Sequence, residues 1–249
     1  MRRARRRAGR GPLVLALLLF LPALALPAAA DGYGNDGDGG LWRVRTRHGD
    51  VVRLGQVAIQ EGERRYTPSL TDVALSPRHG LYAIGFHDLY RIDLEDPTRS
   101  TRVGSFTPSL NGLAFDGEDR LYGVGASGLY RIDLLTAAAT HVGAFGVGGG
   151  SDGDIVFVHQ ELWATLADGG GTLLAQLDPA TGRATTTHAL READGTRLED
   201  VWGLSWDGRQ LLGLCEDGRV YDIDRATGVA RLLFRSKVRF WGGSVPLRL

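Results

Sequence analysis

The chain has 249 residues, of which 43% are hydrophobic, and its 29 basic residues balance its 29 acidic ones. Residues 1–30 hold six of the basic residues and no acidic one, so the remainder has 23 basic against 29 acidic residues, a formal charge of −6. This mildly acidic body argues against nucleic acid as a partner, because phosphates need a basic surface. Cys215 is the only cysteine, which excludes an intrachain disulfide.

The first 30 residues have the layout of a secretory signal peptide. An arginine-rich head precedes the apolar run Leu13–Leu26, and small residues follow as far as Ala30. The apolar run is short for a transmembrane helix, which needs about 20 residues, although an uncleaved anchor is the alternative. The sequence predicts export to the periplasm or beyond the cell, with cleavage near Ala30 and no membrane span afterwards.

Two predicted domain segments follow the signal peptide. Residues 31–39 consist mostly of glycine and aspartate without apolar alternation, which predicts a flexible leader. Residues 40–249 then show short apolar alternations and are predicted to form one domain. Its first part, 40–57, is predicted to supply two outer strands of a sheet.

A 40-residue repeat organises this domain. Thr67–Leu94 and Thr107–Leu134 align without a gap and are identical at 14 of 28 positions. A period near 40 with short alternating runs is typical of arrays of four-stranded units. Two further units share a turn of the form Asp-x-Ala-Thr-Gly, at Asp178–Gly182 and Asp224–Gly228. The four predicted units occupy residues 67–106, 107–145, 151–190 and 199–235.

The C-terminal segment predicts how the array closes. Phe240–Val245 matches Val201–Trp206, the start of an innermost strand. The chain thus begins with outer strands and ends with an inner one, and joining them completes a split blade, 40–57 plus 237–249, without an exposed sheet edge. The predicted fold is all-β, a β-propeller of about five four-stranded blades; whether the split blade has all four strands is left open.

Three short motifs resemble those of secreted bacterial β-propellers: the repeated strand sequence at Gly128–Leu134, its counterpart at Asp88–Leu94, and the turn Ile223–Gly228. These belong to the broad WD40/YVTN-like superfamily, and the resemblance covers about residues 40–249. It implies the fold but no particular activity, since such folds host many functions.

Candidate site residues come from loops that enter the innermost strands, because in propellers these loops line one mouth of the central channel. These loops and the loop after the second strand of the first unit give the candidate ligand-binding residues Asp72, Asn111, Asp154, Asp200, Trp202, Trp241 and His87. The alternative is that aspartate, asparagine and glycine form turns there, and that the tryptophans pack in the core.

The sequence favours a binding or protein-interaction module with a ligand-accessible channel mouth, for a protein, a small molecule or a carbohydrate. A glycosidase- or lactonase-like hydrolase using carboxylates of the same mouth is one alternative, and a structural or adhesive scaffold is another. A hydrolase predicts two carboxyl groups across an open cleft, one with a raised pKa, whereas a scaffold predicts carboxylates bonded to backbone amides.

No catalytic residue, cofactor or metal is predicted. The sequence has no Gly-x-Ser-x-Gly nucleophile elbow and no histidine pair with metal-ligand spacing. The two Asp-x-Ala-Thr-Gly turns are similar to those of quinone-cofactor dehydrogenases, but the docking tryptophan that continues that motif is missing after both.

Overall fold

The fold is a ring of small antiparallel sheets. The computed structural model describes residues 31–45 and 50–244. Within these ranges it contains five sheets of four or five strands, one two-stranded hairpin and a single 3-10 turn at Pro97–Arg99. The innermost strand of each sheet contacts the innermost strand of the next around a closed circle. The predicted all-β, five-bladed β-propeller is therefore confirmed.

The strands follow the chain as five successive groups. The N-terminal group is β1 (Asp31–Asn35), β2 (Gly40–Arg45), β3 (Asp50–Gln56) and the hairpin strands β4 (Ile59–Glu61) and β5 (Arg64–Tyr66). Blade 1 contains β6 (Asp72–Ser76), β7 (Gly80–Ile84), β8 (Asp88–Ile92) and β9 (Thr101–Ser105). Blade 2 contains β10 (Leu110–Phe115), β11 (Leu121–Gly125), β12 (Gly128–Ile132) and β13 (Ala139–Gly143).

The remaining blades follow the same pattern. Blade 3 contains β14 (Ser151–Val158), β15 (Glu161–Ala167), β16 (Thr172–Leu177) and β17 (Ala184–Ala189). Blade 4 contains β18 (Arg191–Glu192), β19 (Val201–Trp206), β20 (Leu211–Cys215), β21 (Arg219–Ile223) and β22 (Val229–Arg235). The last strand, β23 (Gly242–Ser244), is the inner strand of blade 5, whose order is β23-β1-β2-β3.

The segment predicted to be a flexible leader instead contributes a strand. β1 pairs antiparallel with β2 on one side and with β23 on the other, so blade 5 has all four strands. The glycines that suggested flexibility serve close packing, since a Cβ added at Gly34 would lie 2.8 Å from the Phe240 ring. Residues 1–30, where the signal peptide is predicted, and 245–249 lie outside the described residues.

Hydrophobic clusters fill the spaces between neighbouring blades. Because side chains alternate along each strand, both faces of a blade can pack against its neighbours. One cluster joins blades 1 and 2 around Leu89 and Leu113, and a second joins blades 3 and 4 around Leu204. Cys215 lies in this second cluster, where burial raises the pKa of its thiol to about 12. The cysteine is thus a core residue and not a reactive thiol.

The repeated turns have the predicted chemistry. In blade 3, Oδ1 of Asp178 accepts a hydrogen bond of 2.9 Å from the N–H of Ala180, and Gly182 has φ of 75°. In blade 4, Oδ1 of Asp224 accepts one of 2.8 Å from Ala226, and Gly228 has φ of 71°. An aspartate that satisfies its own turn and a glycine in the left-handed region fix the outer hairpin of each blade.

Substitution of Gly34 tests the closure of the ring by β1. Gly34→Ala is expected to lower the free energy of unfolding by about 1–3 kcal/mol, the usual effect of overpacking, because the new methyl group meets Phe240. The matched control is Gly117→Ala, where the added methyl group meets no atom within 4 Å. Urea unfolding of both variants measures the effect, and equal stabilities would contradict a packed N-terminal strand.

Candidate functional site

Two aspartates from different blades are buried at the centre of the ring. Asp72 begins β6, and its side chain is fully enclosed. Its Oδ1 accepts a hydrogen bond of 2.7 Å from the N–H of Val73 in the same strand. Its Oδ2 accepts one of 2.5 Å from the N–H of Leu113 in β10. One carboxyl group thereby joins blade 1 to blade 2.

Asp154 in β14 repeats this arrangement two blades further on. It is also fully buried, and its Oδ1 accepts a hydrogen bond of 2.6 Å from the N–H of Ile155. Its Oδ2 accepts one of 2.8 Å from the N–H of Leu204 in β19, which joins blade 3 to blade 4. Both carboxyl groups therefore meet the expectation for a scaffold role, since each is bonded to backbone amides.

The two carboxyl groups also influence each other's protonation. Burial, followed by the charge of Asp154, raises the pKa of Asp72 well above its usual value. Burial likewise raises the pKa of Asp154 to about 7. The interaction raises the pKa of Asp72 and lowers that of Asp154, so it favours the proton on Asp72. Because two neighbouring buried carboxyl groups resist ionising together, we expect the pair to keep a proton near neutral pH, and we call it the proton-sharing dyad.

Two asparagines bridge the neighbouring blades in the same way. Nδ2 of Asn35 in β1 donates a hydrogen bond of 2.9 Å to the carbonyl oxygen of Leu70, just before blade 1. Nδ2 of Asn111 in β10 donates one of 3.3 Å to the carbonyl oxygen of Ser151 in β14. We call these bridging side chains the inter-blade ring, which consists of Asn35, Asp72, Asn111 and Asp154.

A cavity of about 180 Å³ opens at the channel mouth beside the inter-blade ring. Its lining residues come from all five blades or the loops that enter them: Thr71, Phe86, Asn111, Asp152, Gly153, Trp202 and Trp241. No lysine, arginine or histidine is among these lining residues. The cavity therefore combines aromatic walls with a carboxylate and an amide.

Two indoles form one wall of this cavity. Trp202 and Trp241 meet edge to face, with ring centroids 5.5 Å apart and an interplanar angle of 81°. The backbone N–H of Trp241 donates a hydrogen bond of 3.0 Å to the carbonyl oxygen of Asn35. A Cβ at Gly37 would lie 2.6 Å from the indole of Trp241, so this glycine makes room for the ring. Blade 5 thus fixes the position of one indole.

Two polar side chains give the cavity its electrostatic character. Oδ1 of Asn111 is buried and has no hydrogen-bond partner. Asp152 is half-buried and accepts a hydrogen bond from Oγ1 of Thr172. Burial is the main cause of a raised pKa for Asp152, and the charge of Asp200 adds to it. The carboxylate of Asp152 makes this cavity attractive to cations.

The structure brings three of the seven candidate residues together. Asn111, Trp202 and Trp241 line the cavity, whereas Asp72 and Asp154 are buried in the inter-blade ring. Asp200 is exposed with φ of 54°, and His87 is exposed as well. Neither of these two is among the residues that line the cavity.

Three residues that line the cavity are not among the seven candidates: Asp152, Thr71 and Phe86. Asp152 precedes Asp154 by two residues, but a register irregularity between Ser151 and Ile155 changes the direction of the side chains. This irregularity leaves Asp152 half-buried at the cavity and Asp154 fully buried. Phe86 lies in the loop after β7, which ends at Ile84, and its side chain is 48% exposed.

The described ranges contain neither a metal-ligand cluster nor a membrane-spanning helix. In residues 31–45 and 50–244 no group of three or more histidine, cysteine, aspartate or glutamate side chains is arranged to hold a metal ion. None of the helical segments in these ranges has the length and apolar character that crossing a bilayer requires.

Comparison with known proteins shows similarity of fold. No protein-family model matches the sequence, and no curated protein matches it significantly. Among solved structures, glutaminyl cyclase from Myxococcus xanthus matches with a TM-score of 0.51 and 19% identity, over 70% of this chain and 69% of that one. A protein of unknown function from Bacteroides thetaiotaomicron matches with a TM-score of 0.52 and 14% identity, over 86% of this chain and 60% of that one.

This chain therefore spans about three fifths of the Bacteroides protein. At these identities the likeness extends to the fold, and the chain is a β-propeller similar to both structures.

The proton-sharing dyad predicts an unusual dependence of stability on pH. Between the unfolded pKa of about 4 and a folded pKa of about 7, the native state holds more protons than the unfolded chain. Stability therefore falls as pH rises through this window, by up to roughly 1.4 kcal/mol per pH unit for each such proton. Asp154→Asn removes one titrating group and is expected to flatten this slope.

The measurement is urea unfolding at intervals from pH 4 to pH 8. Asp178→Asn is the matched control, because this turn carboxylate has a lowered pKa and has finished titrating below the window. An identical slope for the wild type and Asp154→Asn would contradict a shared proton.

Proposed function

We propose that the protein is a binding module whose channel mouth takes a small ligand with a cationic nitrogen beside a flat apolar group. The observation that carries this proposal is a cavity whose lining combines two indoles with the carboxyl group of Asp152 and contains no basic side chain.

The electrostatics of the cavity support a cation. Asp152 is its ionisable lining residue, and no basic side chain of the lining offsets that charge. Aromatic faces attract cations, with tryptophan the most effective, by about 0.5–2 kcal/mol. An ammonium group near Asp152, with its apolar part against Trp202 and Trp241, satisfies the charge and packing requirements together.

The size of the cavity limits the ligand. Sites for drug-sized molecules measure about 300–1,000 Å³, and this cavity measures about 180 Å³. It therefore accommodates a compact amine or one terminal residue of a longer molecule.

Binding of 2-phenylethylamine and of its N-acetyl derivative tests this proposal. The amine is expected to raise the unfolding temperature with concentration, since it binds only the folded state, and the neutral derivative is not. Asp152→Asn and Trp241→Ala are each expected to weaken binding by roughly tenfold, from lost charge attraction and lost cation–π contact respectively. Calorimetric titration measures the affinities.

The matched control is Asp200→Asn, which removes an exposed carboxylate close to the cavity but outside its lining. Equal binding of the neutral derivative, or unchanged affinity in Asp152→Asn, would overturn the cationic-ligand proposal.

A second candidate function is a cyclase acting on amine-terminated glutaminyl peptides. The fold likeness to the Myxococcus glutaminyl cyclase and the raised pKa of Asp152 favour it. In such a reaction the terminal amine attacks the side-chain amide carbon, the attacking nitrogen loses a proton, and ammonia leaves. Asp152 would accept that proton, because burial makes its carboxylate more basic, and would then donate it to the leaving nitrogen, which departs as ammonia.

Mass spectrometry of a glutaminyl peptide incubated with the protein tests the cyclase. Loss of one ammonia from the peptide, abolished in Asp152→Asn and retained in Asp200→Asn, is the expected outcome for an enzyme. Binding of the peptide without ammonia release would reject the cyclase and leave the binding module.

The two earlier alternatives receive unequal support. The hydrolase needs two carboxyl groups across an open cleft, whereas the carboxyl groups of Asp72 and Asp154 are buried and engaged with amides. A pure scaffold explains those two aspartates, but it gives no role to the two indoles and the carboxyl group of Asp152 that line the cavity.

A further inference from the structure

We propose that the outer edge of blade 2 binds an extended acidic peptide segment, which adds as a strand to β13. The site is a groove of about 1420 Å³ on the side of the ring away from the channel mouth. Its lining includes the β6–β7 and β10–β11 turns, at the opposite end of the inner strands from the mouth cavity, together with most of β13. The site is therefore separate from the cavity that contains Asp152.

The first argument is that β13 has an unpaired edge. Blade 2 has the strand order β10-β11-β12-β13, and within the described part of the chain β13 pairs only with β12. Thr140 and His141 in this strand are exposed. An edge strand presents a row of N–H and C=O groups with the spacing of a β-ladder, which an extended peptide can match.

The second argument is that other blades already use the equivalent edge. In blade 4 the short strand β18 adds in parallel to the outer strand β22, with Arg191 opposite Val229 and Glu192 opposite Ala230. In blade 1 the β4–β5 hairpin approaches the outer edge through a bridge between Ile59 and Ser100. Outer edges in this propeller thus accept extra strand segments. Among the described residues the edge of β13 has no such strand, and the Asp178–Gly182 turn of blade 3 contacts it only at its last residue, Gly143.

The third argument is the charge of the groove. Arg91 in β8 and Arg131 in β12 occupy equivalent repeat positions, and both are exposed. The guanidinium of Arg131 lies 5.7 Å from the Tyr122 ring centroid. Neither arginine forms an ion pair with another described residue, whereas Arg120 pairs with Asp116 at 2.6 Å. Two uncompensated guanidinium groups one blade apart attract a segment with repeated carboxylates.

The groove also offers apolar contacts beside these charges. Leu135 is 87% exposed, and Val142 in β13 is half-buried. A strand that adds to β13 has alternating side chains, so a peptide with alternating acidic and apolar residues can meet both features. Nucleic acid and glycans lack a backbone that continues a β-ladder, which is why the edge favours a polypeptide.

A labelled peptide of alternating glutamate and valine is the probe for this site. Fluorescence anisotropy is expected to show saturable binding that weakens with added salt. The double variant Arg91→Gln/Arg131→Gln is expected to bind roughly tenfold more weakly, because it loses two charge contacts. The control, Arg209→Gln/Arg239→Gln, removes two arginines that lie outside the lining of the groove and should bind like the wild type.

Strand addition is tested separately from charge attraction. The same peptide with N-methyl groups at alternate residues keeps its carboxylates but cannot donate along one edge, and it is expected not to bind. Hydrogen exchange in residues 139–143 is expected to slow only with the unmodified peptide. Asp152→Asn should bind the peptide normally, so failure here is distinguishable from failure of the mouth proposal.

Three outcomes would overturn the proposal: no binding of the glutamate peptide, equal binding of the N-methylated peptide, or equal binding of a lysine–valine peptide. Self-association of the protein that is lost in Arg91→Gln/Arg131→Gln would also overturn it, because the edge would then belong to a second copy. Circular dichroism and the unfolding temperature establish that each variant is folded.

Discussion

The protein depends on hydrogen bonds that cross from one blade to the next near the axis. A propeller blade is a small sheet with little stability of its own, so neighbouring blades must stay in register. The hydrophobic clusters between blades stabilise the packing of neighbouring blades, but hydrophobic contacts are not directional. The hydrogen bonds of the inter-blade ring are directional and therefore hold the blades in register. Asp72 and Asp154 do this with both carboxyl oxygens, each of which accepts a backbone N–H.

Burying two carboxyl groups side by side is unfavourable, and the dyad reduces this penalty in two ways. The shared proton removes one charge, and four backbone N–H groups donate to the carboxyl oxygens the hydrogen bonds that water would otherwise provide. Asp72 and Asp154 are thereby unavailable to a ligand. The same inner strands also place Asn111 beside Asp152, where one amide oxygen is left without a partner. Polar groups with a structural role and polar groups that line the cavity are thus close together in the sequence, but the structural ones are more deeply buried.

The two sides of the ring differ in charge and in the kind of contact they offer. The mouth presents a carboxylate and two indoles around a small cavity, which suits a compact cation. The opposite side presents a longer groove with exposed guanidinium groups and a free strand edge. A propeller can bind two unlike ligands in this way, because its two sets of loops vary independently on one scaffold.

The sequence alone determined the five-bladed architecture and the turn chemistry, because these follow from a 40-residue period, alternating strands and local Asp and Gly requirements. It also placed Asn111, Trp202 and Trp241 near one mouth. Only the tertiary structure decided that Asp31–Asn35 is a strand, since its partners in β23 lie about 200 residues away along the chain. The tertiary structure alone also decided how deeply each aspartate is buried. The alternation of residues in the sequence predicts which face of a strand a side chain lies on, whereas its burial depends on strands from other blades.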